Sequence, residues 1–236
     1  MTVTTKLRHA GDTGYTRGEE TRARIVLAAL KMFGENGFEG ASTRDIATAA
    51  GVNPPALQYY FNNKEGVYLA CAEHIISHVH QVLDDVLEEG TRVLAGEADD
   101  DMLIDAFCSI QQRLIMLMLN DNESNGSREF IAREQAGLGP KLGHDILYER
   151  MSKPITSVTT AIVGQLLGKP ATDDETVFRT TALSGQSVIF QVMHRSPTSQ
   201  LDWSALTGDR LKLIHRIVRE HTVVLLRTMT AERDRA

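Results

Sequence analysis

Side chains of the kinds that bind phosphates and nucleobases are concentrated between residues 43 and 64 of this 236-residue chain. Thr43, Tyr60 and Lys64 carry hydroxyl and ammonium groups, which can donate hydrogen bonds to phosphate oxygens. Arg44 and Gln58 carry the groups that suit the major-groove edges of guanine and adenine. These residues therefore indicate a surface that could contact double-stranded DNA.

Two short helices around a glycine turn are predicted to hold these side chains. Ser42 stands three residues before an acid, as in a capping box, and predicts a helix start. Gly51 then permits a tight turn. Asn53 can cap a second helix that begins at Pro54, where a missing amide costs nothing. Residues 43–62 thus form a helix-turn-helix unit, whose second helix can enter the major groove.

The remaining residues of the predicted DNA surface have more restricted chemistry. Asn53 and Pro54 stand at the start of the second helix, and Pro54 has no amide, so its contacts must be apolar. Tyr59 could contact a thymine methyl group or the backbone. Capping is the alternative role for Thr43, and packing is the alternative for Tyr60. We assign four apolar residues of the motif to the core: Ile46, Ala47, Leu57 and Phe61.

Helical periodicity extends through most of the chain and predicts an all-α fold. Residues 1–20 are predicted as a flexible arm, 21–66 as a three-helix DNA-binding domain, and 67–236 as a larger helical domain for ligand binding and dimerisation. Pro154 should kink or break a helix that starts at Pro140, because it leaves the Arg150 carbonyl without an amide. The predicted helices span about 21–36, 42–50, 54–61, 64–90, 99–117, 128–137, 140–167, 174–194 and 209–231, with loops at 120–126 and around Trp203.

From Ile25 to Leu69 the chain resembles the DNA-binding domain of the TetR family of repressors. The resemblance is carried by Phe33, Gly37-Phe38, Ser42 to Ala47, Ala50-Gly51-Val52, Leu57 to Phe61 and Lys64-Glu65. It implies a regulator that binds a palindromic operator and is released by a small molecule. Pro54-Pro55 and Gln58-Tyr59-Tyr60 differ from the pairs and triplets that the family usually has there.

Residues from about 128 to 194 resemble the C-terminal domain of the CecR-like subgroup of the same family. The matching residues are Arg133-Glu134-Gln135, Leu147-Tyr148-Glu149, Met151, Pro154 and Leu183 to Gln186. This resemblance implies control of efflux or drug-response genes. Polar groups on apolar faces suggest a ligand cavity, although pairing with one another is the alternative. The predicted ligand-binding residues are Phe107, Met118, Glu134, Gln135, His144, Met151 and Gln186.

Composition and charge fit this interpretation. The net charge is -6, but residues 1–70 carry 8 Lys and Arg against 7 Asp and Glu, so the acidity belongs to residues 71–236. Cys71 and Cys108 are isolated, which favours a reducing cytoplasm. No signal sequence or membrane partner is expected. We find no P-loop or dinucleotide fingerprint, and we expect no cofactor.

Two other classes of function remain open in the sequence. His74 and His78 have an i, i+4 spacing that is compatible with zinc in a metalloenzyme, although solvated or packed histidines are the commoner explanation and we assign no metal site. A DNA-binding protein without a ligand is the second alternative. A homodimer is expected, because one helix-turn-helix reads few base pairs. Its predicted interface consists of Leu183, Ile189, Ile214, Ile217, Val218 and Leu225.

Overall fold

The computed structural model describes residues 13–119, 126–193, 200–201 and 208–235. All regular secondary structure within these ranges is helical, as predicted, and they contain no strand. A π-helical turn, Tyr148–Ser152, joins the seventh and eighth helices. The helices are α1 (Thr13–Gly40), α2 (Thr43–Ala49), α3 (Pro54–Phe61), α4 (Lys64–Ala95), α5 (Asp100–Leu119), α6 (Ser127–Gln135), α7 (Lys141–Leu147), α8 (Lys153–Leu167), α9 (Asp174–Met193) and α10 (Asp209–Arg233).

The chain folds into two compact units that the backbone connects three times. The first unit comprises residues 1–74 and 125–143, and the second comprises 75–124 and 144–236. These units differ from the predicted domains because α6 lies in the first unit and the change of unit within α4 falls at residue 74. Residues 1–12, the loop residues 120–125 and Trp203 lie outside the described residues.

Helix α1 is longer than its apolar pattern predicts. It begins at Thr13, so residues 13–20, which were predicted as part of an arm, are helical. Its last turn is interrupted at Gly37, which has a φ of 74°. Phe33 lies before this kink and Phe38 after it, and their rings stack with centroids 5.9 Å apart. The kink therefore turns the end of α1 back onto its own aromatic face.

Close backbone contact and two side-chain bonds attach α6 to α1. A Cβ on Gly126 would lie 2.5 Å from the Leu30 carbonyl oxygen, so only glycine permits this approach. Arg133 in α6 donates from Nε to the Gly34 carbonyl at 2.7 Å and from Nη2 to the Glu35 carbonyl at 2.8 Å. These carbonyls lie at the end of the regular part of α1, where a helix has no further amides to bond to its last carbonyls. Arg133 therefore caps α1 from another helix.

The second unit has a core shared by α5, α8, α9 and α10. A buried polar bridge crosses it: Gln111 donates from Nε2 to the Leu183 carbonyl at 3.0 Å and accepts from the Thr222 hydroxyl at 2.8 Å. Because Gln111 is 4% exposed, these bonds fix the register of α5 against α9 and α10. The apolar residues of this core include Phe107, Ile110, Ile162, Leu166, Leu183 and Leu226.

A kink or break is predicted at Pro154, and the structure has a π-helical turn directly before it, with helix on both sides. The amide of Lys153 bonds to the Tyr148 carbonyl, one residue further back than in an α-helix. The Arg150 carbonyl accepts a hydrogen bond from His80 Nε2 at 3.0 Å. His80 in α4 thus supplies the donor that Pro154 cannot, and its Nδ1 lies 2.8 Å from the Asp84 carboxylate.

Among the described residues, one helix is long and apolar enough to cross a membrane by length and composition. That helix is α5, and half of its apolar window is buried within the chain. Its residues Phe107 and Ile110 belong to the core of the second unit. The apolar character of α5 is therefore explained by its place in this core.

Candidate DNA-binding surface and ligand cavity

The predicted helix-turn-helix is present, with the predicted caps. The Ser42 hydroxyl accepts from the Asp45 amide at 3.1 Å, and it donates to the Asp45 carboxylate at 2.6 Å in place of the reciprocal backbone bond of a full capping box. Gly51 has a φ of 65°, which allows the tight turn. Asn53 Oδ1 accepts from the Ala56 amide at 3.0 Å and caps α3. Local sequence signals alone therefore fix the turn.

The apolar residues of the motif are buried as predicted, and this orients its polar face. Leu57 and Phe61 are buried on one side of α3, and Ile46 and Ala47 are buried in α2. The opposite side of α3 carries Gln58 and Tyr59, both exposed, and Tyr59 is 82% exposed. The Tyr59 ring is therefore available for contact with a molecule outside the chain.

The remaining predicted contact residues around α2 and α3 are also at the surface of the first unit. Arg44, Asn53 and Pro54 are exposed, and Thr43 is half-buried as the first residue of α2. Asn53 already uses its side-chain oxygen as the cap of α3. Arg44 is thus the one strongly basic side chain within these two helices that is available to a base or phosphate.

Tyr60 and Lys64 are held by neighbours in the same unit. The Tyr60 hydroxyl lies beside Gly18 of α1, and its ring packs edge-on against Tyr59 with centroids 5.2 Å apart. Lys64 Nζ lies 4.5 Å from the centroid of the Phe38 ring and donates to the Glu39 carbonyl at 3.4 Å. An ammonium group has three donors, so this contact leaves donors for a phosphate.

The seven predicted ligand-binding residues are divided between the two units. Glu134 and Gln135 belong to the first unit, whereas the other five belong to the second. Glu134 is buried and accepts a short hydrogen bond from the Tyr68 hydroxyl, and Gln135 is exposed. Burial and this bond raise the pKa of Tyr68, so the tyrosine is the donor. Glu134 is therefore an internal contact between α6 and α4 in the first unit.

The five residues in the second unit are also dispersed. Phe107 is 1% exposed and belongs to the core. Met118, Met151 and Gln186 are half-buried on three different elements. His144 is exposed and its ring stacks on Tyr148, with centroids 6.5 Å apart. Their assignment to one ligand site remains a prediction.

A cavity of about 650 Å³ lies elsewhere in the second unit, between α5 and α10. It was not predicted from the sequence, because its two walls are about a hundred residues apart and no local pattern joins them. Its lining residues are Cys108, Gln111, Gln112, Ile115, His215, Arg216, Val218, Arg219, Glu220, Val223 and Val224. The volume lies within the range that small-molecule sites occupy.

The histidines of α4 do not form a metal site in the part of the chain that the structure describes. No group of three His, Cys, Asp or Glu side chains in these residues could hold a metal ion. His80 bonds to Asp84 and to a backbone carbonyl, and His74 and His78 each have other interactions. The pair His74 and His78 thus has no third such ligand beside it among the described residues.

Family models match both halves of the chain. The model for bacterial regulatory proteins of the tetR family matches residues 25–71. The model for the C-terminal domain of the HTH-type transcriptional dual regulator CecR matches residues 103–229, more than half of the chain. Together they cover both the helix-turn-helix and the cavity.

Individual proteins agree with these models. The HTH-type transcriptional dual regulator CecR of Shigella flexneri is 31% identical over 91% of this chain and 95% of its own length. The repressor NicS of Pseudomonas putida is 35% identical over 28% of this chain and 31% of its own.

Solved structures share the fold. AibR, crystallised with isovaleryl coenzyme A and operator DNA, has a TM-score of 0.60 at 14% identity and covers 84% of this chain and 96% of its own. A transcriptional regulator from Rhodococcus sp. Rha1 has a TM-score of 0.55 at 16% identity, covering 86% and 95%.

Proposed function

Because this chain belongs to the TetR family of bacterial transcription regulators, with a C-terminal domain of the CecR type, we propose that it is a repressor that a small molecule releases from a palindromic operator. The observation that carries the DNA-binding part is the exposed face of α3, where Gln58 and Tyr59 lie opposite the buried Leu57 and Phe61. The CecR-type domain supports control of efflux or drug-response genes. The protein acts in the cytoplasm, where its operator is.

Two groups of side chains divide the work on DNA. Gln58 and Arg44 read base edges, because their planar groups can each make two hydrogen bonds to one base. Lys64, Tyr60 and Thr43 bind phosphates and set the register of α3 in the major groove. Selection from random duplex DNA tests this division. A two-fold-symmetric site is expected, and recovery of unrelated sequences would contradict it.

We further propose a homodimer, because two recognition helices must reach successive major grooves about 34 Å apart. Three residues of the predicted interface, Leu183, Ile214 and Val218, are buried within the chain itself. The apolar side chains left exposed on α9 and α10 outside the cavity include Phe178, Ile189 and Leu225, and Phe178 is 72% exposed. These three residues support an interface formed by the outer faces of the two helices.

Sedimentation of the purified protein at micromolar concentration tests the dimer. We expect a dimer in the wild type and a monomer with weakened operator binding in Phe178→Glu. Thr91→Glu, at an exposed polar position of α4 outside these two helices, controls for added charge alone. A wild-type monomer with full operator affinity would contradict the proposal.

Release of DNA by a ligand requires a route from the second unit to the first. Helix α4 provides one, because it begins at Lys64 and contributes residues to both units. Helix α6 provides another, since Arg133 bonds to the end of α1 and Glu134 accepts a hydrogen bond from Tyr68 of α4. The chain enters and leaves α6 from the second unit. A change there can therefore move the helices that hold α2 and α3.

The energetic demand on the ligand is modest. Shifting the protein from mostly bound to mostly released requires a differential affinity of a few kcal/mol, up to roughly 5.5 kcal/mol for complete reversal. The test is to find an effector by thermal-shift screening and to measure operator affinity with and without it. Operator DNA must weaken effector binding by the same factor. Tight effector binding with unchanged DNA affinity would refute the mechanism.

A further inference from the structure

The cavity between α5 and α10 is lined partly by apolar residues, and one residue of its lining, His215, has a buried ring nitrogen. Ile115, Val218 and Val223 supply apolar surface, and Cys108 adds a buried thiol. Burial raises the pKa of this thiol to about 11, so the sulfur is neutral at physiological pH. The surface of the cavity is therefore largely apolar, and its thiol is neutral.

His215 is the residue of the lining whose hydrogen bonds are incomplete. Its Nε2 is buried and has no hydrogen-bond partner among the described residues. Burial lowers the pKa of the His215 ring, which favours the neutral imidazole. A buried nitrogen without a partner is costly, because it has lost its water without gaining a replacement. A ligand that bonds to this nitrogen would recover that loss.

The charged groups at the cavity are already matched. Arg219 donates to Asp105 at 2.8 Å, and Arg216 donates to Glu220 at 3.3 Å. Each cation thus has an acid beside it, and the mouth of the cavity has little net charge. The buried Gln111 is fixed by its bonds to Leu183 and Thr222. The cavity consequently favours an uncharged ligand over an ion.

We propose that this cavity binds an uncharged, mainly apolar molecule through a hydroxyl or amide group that bonds to His215. A hydroxyl can donate or accept, so it suits either tautomer of the ring. This inference deepens the proposed ligand response, and its effect on DNA rests on that response. Binding itself requires neither DNA nor the proposed release.

The experiment pairs two probes with three proteins. Calorimetric titration with 2-naphthol and with naphthalene, which lacks the hydroxyl, isolates the hydrogen bond. Wild type should bind 2-naphthol about tenfold more tightly than naphthalene, the value of one bond to an otherwise unpaired buried group. His215→Phe should remove this preference while still binding naphthalene. His221→Phe, at an exposed histidine of the same helix outside the cavity, should keep it.

A second variant keeps the test valid if His215→Phe is unstable. Gln112→Trp changes an exposed residue of the lining and should fill the mouth, lowering the affinity for both probes at least tenfold. Equal affinity of the wild type for 2-naphthol and naphthalene would overturn the proposed site. Wild-type affinity for both probes in Gln112→Trp would also overturn it. Operator affinity is measured separately: binding at the site with no effect on DNA would contradict the ligand response alone.

Discussion

The bond from His80 to the Arg150 carbonyl should contribute to stability only because Pro154 has no amide. His80→Phe keeps the ring packing but removes the donor at 3.0 Å. One hydrogen bond of this kind contributes about 1 kcal/mol. The Asp84 pair adds little, since both of its side chains are largely exposed. We therefore expect His80→Phe to lower the free energy of unfolding by about 1 kcal/mol.

A double-mutant cycle distinguishes this account from simple loss of packing. Pro154→Ala supplies an amide one turn from the Arg150 carbonyl, so His80→Phe should then cost less than about 0.5 kcal/mol. Urea unfolding followed by circular dichroism gives the four free energies, and Asp84→Asn controls for the ion pair. An equal cost of His80→Phe in both backgrounds would refute the reasoning.

Two further experiments test the contact of α6 with α1 in the first unit and the burial of the two thiols. Arg133→Met should destabilise the protein by about 2 kcal/mol, because it removes two charged hydrogen bonds to the end of α1. It should also weaken operator binding. Unchanged unfolding in urea would contradict this prediction. Cys71 and Cys108 should not react with Ellman's reagent at pH 8 until the chain unfolds, because both thiols are buried and burial raises their pKa values. Rapid labelling of the native protein would contradict this and show that these helices open.

Local sequence signals predicted the features that depend on neighbours a few residues apart. The side chains of Ser42 and Asn53 each accept a hydrogen bond from the amide three residues later in the sequence. Pro154 has no amide, so it cannot bond to the carbonyl four residues before it. These relations follow from helix geometry and need no tertiary information. The three-helix motif and its exposed recognition face were predictable for that reason.

The ligand-site assignments depended on contacts that periodicity does not contain. Glu134 has the polar-on-apolar pattern of a cavity, yet it accepts a hydrogen bond from Tyr68, 66 residues away. This contact is internal to the first unit. The unpaired nitrogen of His215 could not be predicted either, because no local sequence pattern distinguishes this histidine from others in an amphipathic helix. Only the packing of α10 on α5 reveals it.

Operator binding by wild type and Gln58→Ala tests the central claim most directly. Fluorescence anisotropy with the selected operator and its single-base variants measures both affinity and base preference. Gln58→Ala should lose about 1 to 3 kcal/mol of discrimination at one base pair per half-site. Lys64→Ala should weaken all sequences alike and reduce the salt dependence, and Gln81→Ala, an exposed amide in the second unit, should change neither. An unchanged base preference in Gln58→Ala would contradict the assignment of α3 as the recognition helix.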